Sequence, residues 1–198
     1  MEKEYSTDRH LVELVLEGNT SSFTSIISNT KGLVIQIVCK MINNQEDRED
    51  IIQEVYLKVY NKLSSFKFNS KLSTWIGTIT YHTCINYLEK KKIPILDIDR
   101  KYEGNMCDVI NKHHVDNQAS STEDQIFKKE RAILLKLEVE KLPTIYKTII
   151  TLFHMEELNY KEISKITNLP VGTLKSYLFR ARKQLRENLL LQYKKEDL

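Results

Sequence analysis

Apolar side chains recur every three or four residues through most of this chain, which is the spacing of one buried face of an α-helix. A half-buried strand would show strict alternation instead. Only five glycines and three prolines occur in 198 residues, too few for the many turns of a β-sandwich or barrel. The chain is therefore expected to be all-α, with helices over about 8–17, 23–41, 47–63, 72–92 and 125–141, one opening near Pro143, and two more at 160–167 and from 171 onward.

One stretch interrupts this helical pattern. Residues 93–124 show no sustained period, and their second half (NKHHVDNQASSTED, 111–124) is polar and turn-prone. Residues 93–125 contain 3 basic and 7 acidic side chains, whereas 126–198 contain 15 basic and 9 acidic ones. We therefore predict two small helical domains, 1–92 and 125–198, joined by a flexible acidic linker at 93–124. The basic C-terminal domain favours a polyanionic partner, although a solvated basic helix face would have the same composition.

Metal, membrane and disulfide chemistry find little support in the sequence. Cys39, Cys84 and Cys107 lie far apart without a C-x-x-C pair, which argues against a zinc site and against a disulfide framework. The side chains of His113 and His114 are adjacent and point apart, so no metal and no cofactor are expected. No apolar run approaches the ~20 residues that span a bilayer, and the polar N-terminus lacks a signal-peptide core. The expected location is the cytoplasm, with no membrane insertion.

The most specific pattern is NYKEISKITNLPVGTLKSYLFRARKQLRENL, which starts at Asn159. A short helix at 160–167, a three-residue break and a long helix from Val171 form the pattern of a helix-turn-helix, whose second helix enters the DNA major groove. Arg180 can meet guanine acceptors or phosphates bidentately, which a lysine cannot. The alternative is a basic surface helix that caps a three-helix bundle. The side chains predicted to point outward include Thr173, Lys175, Ser176, Tyr177, Arg180 and Arg182.

Two features of the N-terminal half complete the candidate sites. Asp50, Gln53 and Glu54 share one helix face, which suits docking on a basic partner but also fits an ordinary solvated face. Residues 66–76 (FKFNSKLSTWI) combine aromatics and lysines at a helix entry, the composition that holds single-stranded DNA by stacking and charge. Trp75 is equally compatible with a role in the core.

These motifs resemble a known family. The PVGT-x-KS-x-x-x-RAR run at 170–182 closely resembles region 4 of bacterial sigma factors of the extracytoplasmic function (ECF) type, and D-x-x-QE-x-aromatic at 50–56 resembles their region 2. The resemblance implies that Asp50, Gln53 and Glu54 contact core RNA polymerase while Tyr56 supports their helix from within. It implies contacts with the minus-ten promoter element by Phe66, Asn69, Lys71, Trp75, Tyr81, His82 and Lys90. For the minus-thirty-five element it implies contacts by Tyr160, Lys161, Val171, Thr173, Lys175, Ser176, Tyr177, Arg180 and Arg182.

The sequence departs from the family pattern at two places. His82 stands where family members often carry asparagine, and the arginine-rich helix end is replaced by Glu89 and three lysines at 90–92. These differences bear on which base is recognised rather than on the function. The resemblance does not include the self-inhibitory region 1.1 of primary sigma factors, and it implies a separate anti-sigma factor as a partner.

The predicted function is therefore an ECF sigma factor that binds core RNA polymerase, directs it to promoter DNA and assists melting, without enzymatic chemistry. A stand-alone DNA-binding regulator would also use a helix-turn-helix, but it normally dimerises on two half-sites and has no use for the Gln53-Glu54 face. A recombinase-type enzyme would need an organised nucleophile, and the N-terminal half offers no such constellation.

Overall fold

The computed structural model of the chain describes residues 2–91 and 122–192, and the side chains of 7–91 and 131–191 within them. These ranges contain helices and no β-strand, so the all-α prediction is confirmed. The predicted linker lies outside the described residues, except for its last three positions, which belong to a helix. The helices are α1 (Glu2–Leu16), α2 (Thr20–Met41), α3 (Gln45–Lys62), α4 (Leu72–Lys90), α5 (Thr122–Glu140), α6 (Thr144–His154), α7 (Tyr160–Thr167) and α8 (Val171–Gln192), with a 3₁₀ turn at Leu63–Ser65 after α3.

Local capping explains where the first helices begin and end. Gly18 ends α1 in a left-handed conformation (φ +96°) that costs glycine little, and the Asn19 side chain accepts a hydrogen bond from the Ser22 amide to cap α2. Asn44 caps α3 in the same way through the Asp47 amide. The first helix begins earlier than the predicted start at residue 8, because α1 already begins at Glu2.

Helices α1 to α4 form an N-terminal module around the apolar stripes that the sequence predicts. Val34 and Val38 of α2, Val55 and Val59 of α3, and Ile76 of α4 are all buried. In the C-terminal half, α6 is buried on nearly every side, whereas α7 and α8 bury one face each. Leu174, Leu178 and Ala181 are buried on α8. The helix-turn-helix pattern is thus built as the sequence predicts.

The two modules pack against each other and share one apolar core, which the sequence does not predict. Helix α4 lies on α7, and α2 lies on α6. The approach is close at Gly77, where an added methyl group would stand 3.0 Å from Cδ1 of Ile166. Buried charges lie at the same interface, where Lys40 of α2 forms an ion pair with Glu140 of α5.

The cysteines differ partly from expectation. Cys84 is a free thiol whose pKa burial raises to about 12, so it stays protonated at neutral pH. Cys39 is disulfide-bonded. One bond is less than a framework, but the wide spacing of the cysteines gave no sign of it. Among the described helices, none is both long and apolar enough to cross a membrane.

Candidate nucleic-acid and polymerase interfaces

The turn between α7 and α8 is held by local hydrogen bonds. Asn159 and Glu162 form a reciprocal capping box at the start of α7, with the Asn159 carboxamide oxygen 2.9 Å and 3.1 Å from the amides of Lys161 and Glu162. Asn168 ends α7 in the left-handed conformation (φ 57°). The Ser164 hydroxyl then donates to the Leu169 carbonyl at 2.6 Å. These contacts fix the angle at which α8 is presented.

The exposed face of α8 carries most of the predicted upstream contacts. Lys175, Ser176 and Arg180 are exposed, and Val171 and Thr173 are partly exposed at the start of the helix. Phe179 lies among these polar groups with 69% of its surface exposed, and the sequence reasoning missed it. Its position next to Arg180 in the sequence could have indicated that Phe179 lies on the exposed face of α8. A phenyl ring at such a position offers the apolar contact that a thymine methyl group can receive.

Three other predicted upstream residues, by contrast, contact their own module. The Tyr177 ring packs edge-on against Tyr146 at 5.6 Å between centroids, and the Tyr160 ring lies 5.0 Å from that of Phe153. Arg182 lies over the Phe153 ring and within 3.0 Å of Nε2 of His154. Burial lowers the pKa of His154, and the positive charge of Arg182 adds a smaller shift in the same direction. Lys161 is exposed.

The predicted polymerase face lies on α3 and is open. Asp50, Gln53 and Glu54 are all exposed, and the face continues through two apolar side chains that the sequence reasoning missed, Leu57 (65% exposed) and Tyr60 (49%). Exposed apolar groups beside a polar cluster are typical of a protein-binding surface. Behind this face, Tyr56 is buried, and its hydroxyl lies 3.2 Å from that of Thr30.

A polar cluster ties the start of α3 to the end of α4. The carboxylate of Asp47 accepts hydrogen bonds from the Tyr87 hydroxyl and from Nζ of Lys91, the latter at 3.0 Å. Both hydrogen bonds favour the charged carboxylate and lower the pKa of Asp47, and the bond from Tyr87 has the larger effect. The cluster sets the relative placement of the helix with the predicted polymerase face and the helix with the predicted minus-ten face.

The loop before α4 is built on stacked aromatic rings. Phe66 lies between Phe68 and Trp75, with centroid distances of 4.7 Å and 5.1 Å, and only 7% of Phe66 is exposed. The direct DNA contact predicted for Phe66 therefore does not fit its position, because the ring forms the floor of the loop. Trp75 is partly buried and shares that floor.

The remaining predicted minus-ten residues are exposed or partly exposed, and two of them contact α7. His82 and Lys90 are exposed on α4. Asn69 and Lys71 contact α7: Nζ of Lys165 donates to the Asn69 carbonyl at 2.9 Å, and Lys71 lies 3.6 Å from Glu162.

Tyr81 is the clearest departure from the predicted minus-ten surface, because it is buried beside the C-terminal module. Its pKa rises to about 12, first through burial, with Cys84 and then Tyr177 adding to the shift. In this arrangement α7 contacts α4 and the loop before it, so part of the surface that was predicted to meet minus-ten DNA faces the C-terminal module. Within residues 2–91 and 122–192, no group of three or more His, Cys, Asp and Glu side chains is placed to hold a metal ion.

Comparison with known proteins shows the family to which the chain belongs. Residues 26–93 match the family model "Sigma-70 region 2", and residues 132–185 match "Sigma-70, region 4". The chain is 32% identical over 178 residues to the ECF RNA polymerase sigma factor SigW of Bacillus subtilis, an alignment that covers 90% of this chain and 94% of that protein. It is 30% identical over 188 residues to the ECF RNA polymerase sigma-E factor of Haemophilus influenzae, covering 94% and 97%. The chain belongs to the sigma-70 family and, within it, to the ECF RNA polymerase sigma factors.

Two solved structures share the fold. CnrH in complex with the cytosolic domain of CnrY superposes with a TM-score of 0.62 at 15% identity, covering 94% of this chain and 99% of that one. The sigma factor RpoE of Bartonella quintana, in complex with the anti-sigma factor NepR, superposes with a TM-score of 0.58 at 22% identity, covering 86% and 98%.

Proposed function

We propose that this ECF sigma factor binds core RNA polymerase through the exposed face of α3 and reads the minus-thirty-five element with the exposed face of α8. The loop at 66–71 and α4 then meet the minus-ten element and assist melting. The chain performs no covalent chemistry in this role and works in the cytoplasm, where bacterial polymerase and DNA are found. The observation that carries the proposal is the presence of both exposed faces in one chain, because a stand-alone regulator needs only the basic one.

The proposal requires the two modules to separate. The names of the two promoter elements place them about 25 base pairs apart, roughly 85 Å of duplex at ~3.4 Å per base pair. In the arrangement described above, Lys165 of α7 contacts the carbonyl of Asn69 directly. The same chain cannot hold α7 on this loop and also span both elements, so promoter binding goes with release of α7 from the loop.

We also propose that a separate anti-sigma factor holds the chain before it reaches polymerase. Two observations support this partner. NepR, which is bound to one of the superposed sigma factors, carries the name anti-sigma factor, and the CnrH structure likewise contains a bound partner domain. The exposed apolar groups Leu57 and Tyr60 give such a partner a surface that it would share with polymerase.

A titration against bacterial core RNA polymerase tests the α3 face. We expect Gln53→Ala combined with Glu54→Ala to weaken binding about tenfold, which corresponds to about 1.4 kcal/mol. The matched control is Glu17→Ala, an exposed carboxylate just after α1. An affinity of the double variant equal to that of the control would refute the role of this face. A wild-type protein that is folded but does not bind core polymerase would refute the function as a whole.

A further inference from the structure

Two features of the loop at 66–71 require support from outside the loop, in addition to the packing of its aromatic rings. Phe68 takes a left-handed backbone conformation (φ 56°), which is unusual for a bulky non-glycine residue. The helix that follows begins after Lys71, whose side chain makes no capping hydrogen bond. The first amides of α4 therefore need an acceptor from elsewhere in the chain.

Helix α1 supplies that acceptor from 64 residues earlier in the sequence. Oδ2 of Asp8 accepts a hydrogen bond from the Leu72 amide at 3.0 Å. A carboxylate at this position both satisfies an unpaired donor and stabilises the positive end of the helix dipole. Asp8 thus caps α4 from a different helix.

The next residue of α1 contacts the strained part of the same loop. The guanidinium of Arg9 lies over the Phe68 ring, 5.0 Å from its centroid, in a cation–π contact. Phe68 in turn packs on Phe66, which stacks on Trp75. Asp8 and Arg9 therefore contact the end and the middle of one loop from a single turn of α1.

We propose that Asp8 and Arg9 are positioning residues for minus-ten recognition: they hold the loop at 66–71 in the conformation that receives an unpaired base. This inference rests on the proposed function, which assigns the loop to minus-ten DNA. The contacts with α7 also order the loop, but they are lost when the modules separate. The contacts of Asp8 and Arg9 stay, because they lie within the N-terminal module.

The architecture of α1 makes this role separable from folding. The helix is held to the core by Val12 and Val15, which are 1% and 6% exposed. Arg9 is exposed and Asp8 is partly exposed at the rim. Substitutions at these two positions should therefore leave α1 docked and the face of α3 unchanged.

The test uses holoenzyme reconstituted from core polymerase and the full chain. The probe is a pool of single-stranded DNA oligonucleotides with a randomised central block, selected by binding and then sequenced. We expect wild-type holoenzyme to enrich a defined sequence. Asp8→Ala should lower that enrichment about fivefold, the equivalent of about 1 kcal/mol for a lost N-cap, with core affinity within twofold of wild type.

Two comparisons separate positioning from a general loss of stability. Asp8→Asn keeps a capping oxygen and should restore the enrichment, and Arg9→Lys should retain more of it than Arg9→Ala. The control His10→Ala, an exposed neighbour on α1, should behave as wild type. Equal enrichment by wild type and Asp8→Ala would overturn the inference while leaving the proposed function intact. Failure of wild-type holoenzyme to enrich any sequence would overturn the proposed role of the loop and this inference with it.

Discussion

Replacement of Glu140 by glutamine should destabilise the contact between the two modules. Glu140 of α5 contacts two buried ammonium groups, Lys40 of α2 and Lys147 of α6, and the distance to the latter is 3.7 Å. The side chains of Lys40 and Lys147 are only 2% and 5% exposed. Burial lowers the pKa of Lys147, Lys40 adds to the shift, and Glu140 opposes it. Glu140 is thus the carboxylate that stabilises two buried positive charges.

The size of the effect follows from this geometry. Removal of one partner from a buried ion pair costs about 3–5 kcal/mol, and lysine stems can carry their charge towards water, so we expect about 3 kcal/mol. For a chain of this size, that loss lowers the melting temperature by about 6–12 °C. Lys147 should also lose protons more readily in the folded state than in the unfolded one. Stability should therefore rise as pH approaches its ordinary pKa of 10.5, and more steeply in Glu140→Gln.

Urea unfolding followed by circular dichroism and by Trp75 fluorescence measures this loss. Circular dichroism reports both modules, whereas Trp75 reports the N-terminal one. The control is Glu187→Gln, which removes an exposed pair with Lys183 and should cost less than about 0.5 kcal/mol. The triple change Lys40→Met, Glu140→Leu and Lys147→Met should be near wild type, because apolar side chains need no charge partner. A loss below about 1 kcal/mol in Glu140→Gln would refute the reasoning.

Two further predictions concern the helix-turn-helix. Arg180→Ala should weaken promoter binding by the holoenzyme and reduce the slope of log affinity against log salt by about one, because one phosphate or base contact is lost. An unchanged slope would place Arg180 away from DNA. Asn159→Ala should lower the unfolding free energy by about 1 kcal/mol, since the capping box of α7 loses its acceptor, and Asn159→Asp should retain most of it. Equal stability of the alanine and aspartate variants in thermal unfolding would contradict that account.

Most of the fold could be predicted from the periodicity of apolar residues and from the residues that break helices. The spacing of α8 predicts a buried stripe at Leu174, Leu178, Ala181 and Leu185, because one face of an amphipathic helix packs against the core. The first three are buried, and Leu185 is partly buried. The break at 168–170 was visible for a local reason as well, since asparagine and proline both disfavour continuation of a helix there. Both signals act within a few residues of the chain.

The parts that the sequence did not predict depend on partners that are distant along the chain. Lys40 and Glu140 are 100 residues apart, and Asp8 caps a helix that starts 64 residues later. Neither pairing leaves a periodic trace. The family resemblance assigned Phe66 to minus-ten DNA, and an aromatic residue in a basic loop suits stacking, but the ring packs against Phe68 and Trp75 instead. Residue type alone could not decide between these two uses.

The contacts between the modules differ in how much their separation costs. At the rim, two polar contacts join α7 to the loop at 66–71. Lys165 donates a hydrogen bond to the Asn69 carbonyl, and Lys71 forms an ion pair with Glu162 at 3.6 Å. Under the proposed function, DNA phosphates would replace these partners, so the lysines exchange one acceptor for another with little net change. The apolar contact of Gly77 with Ile166 and the buried charges around Glu140 have no such replacement on DNA. The free energy of opening should therefore be set mainly at these central positions, and polymerase binding has to supply it.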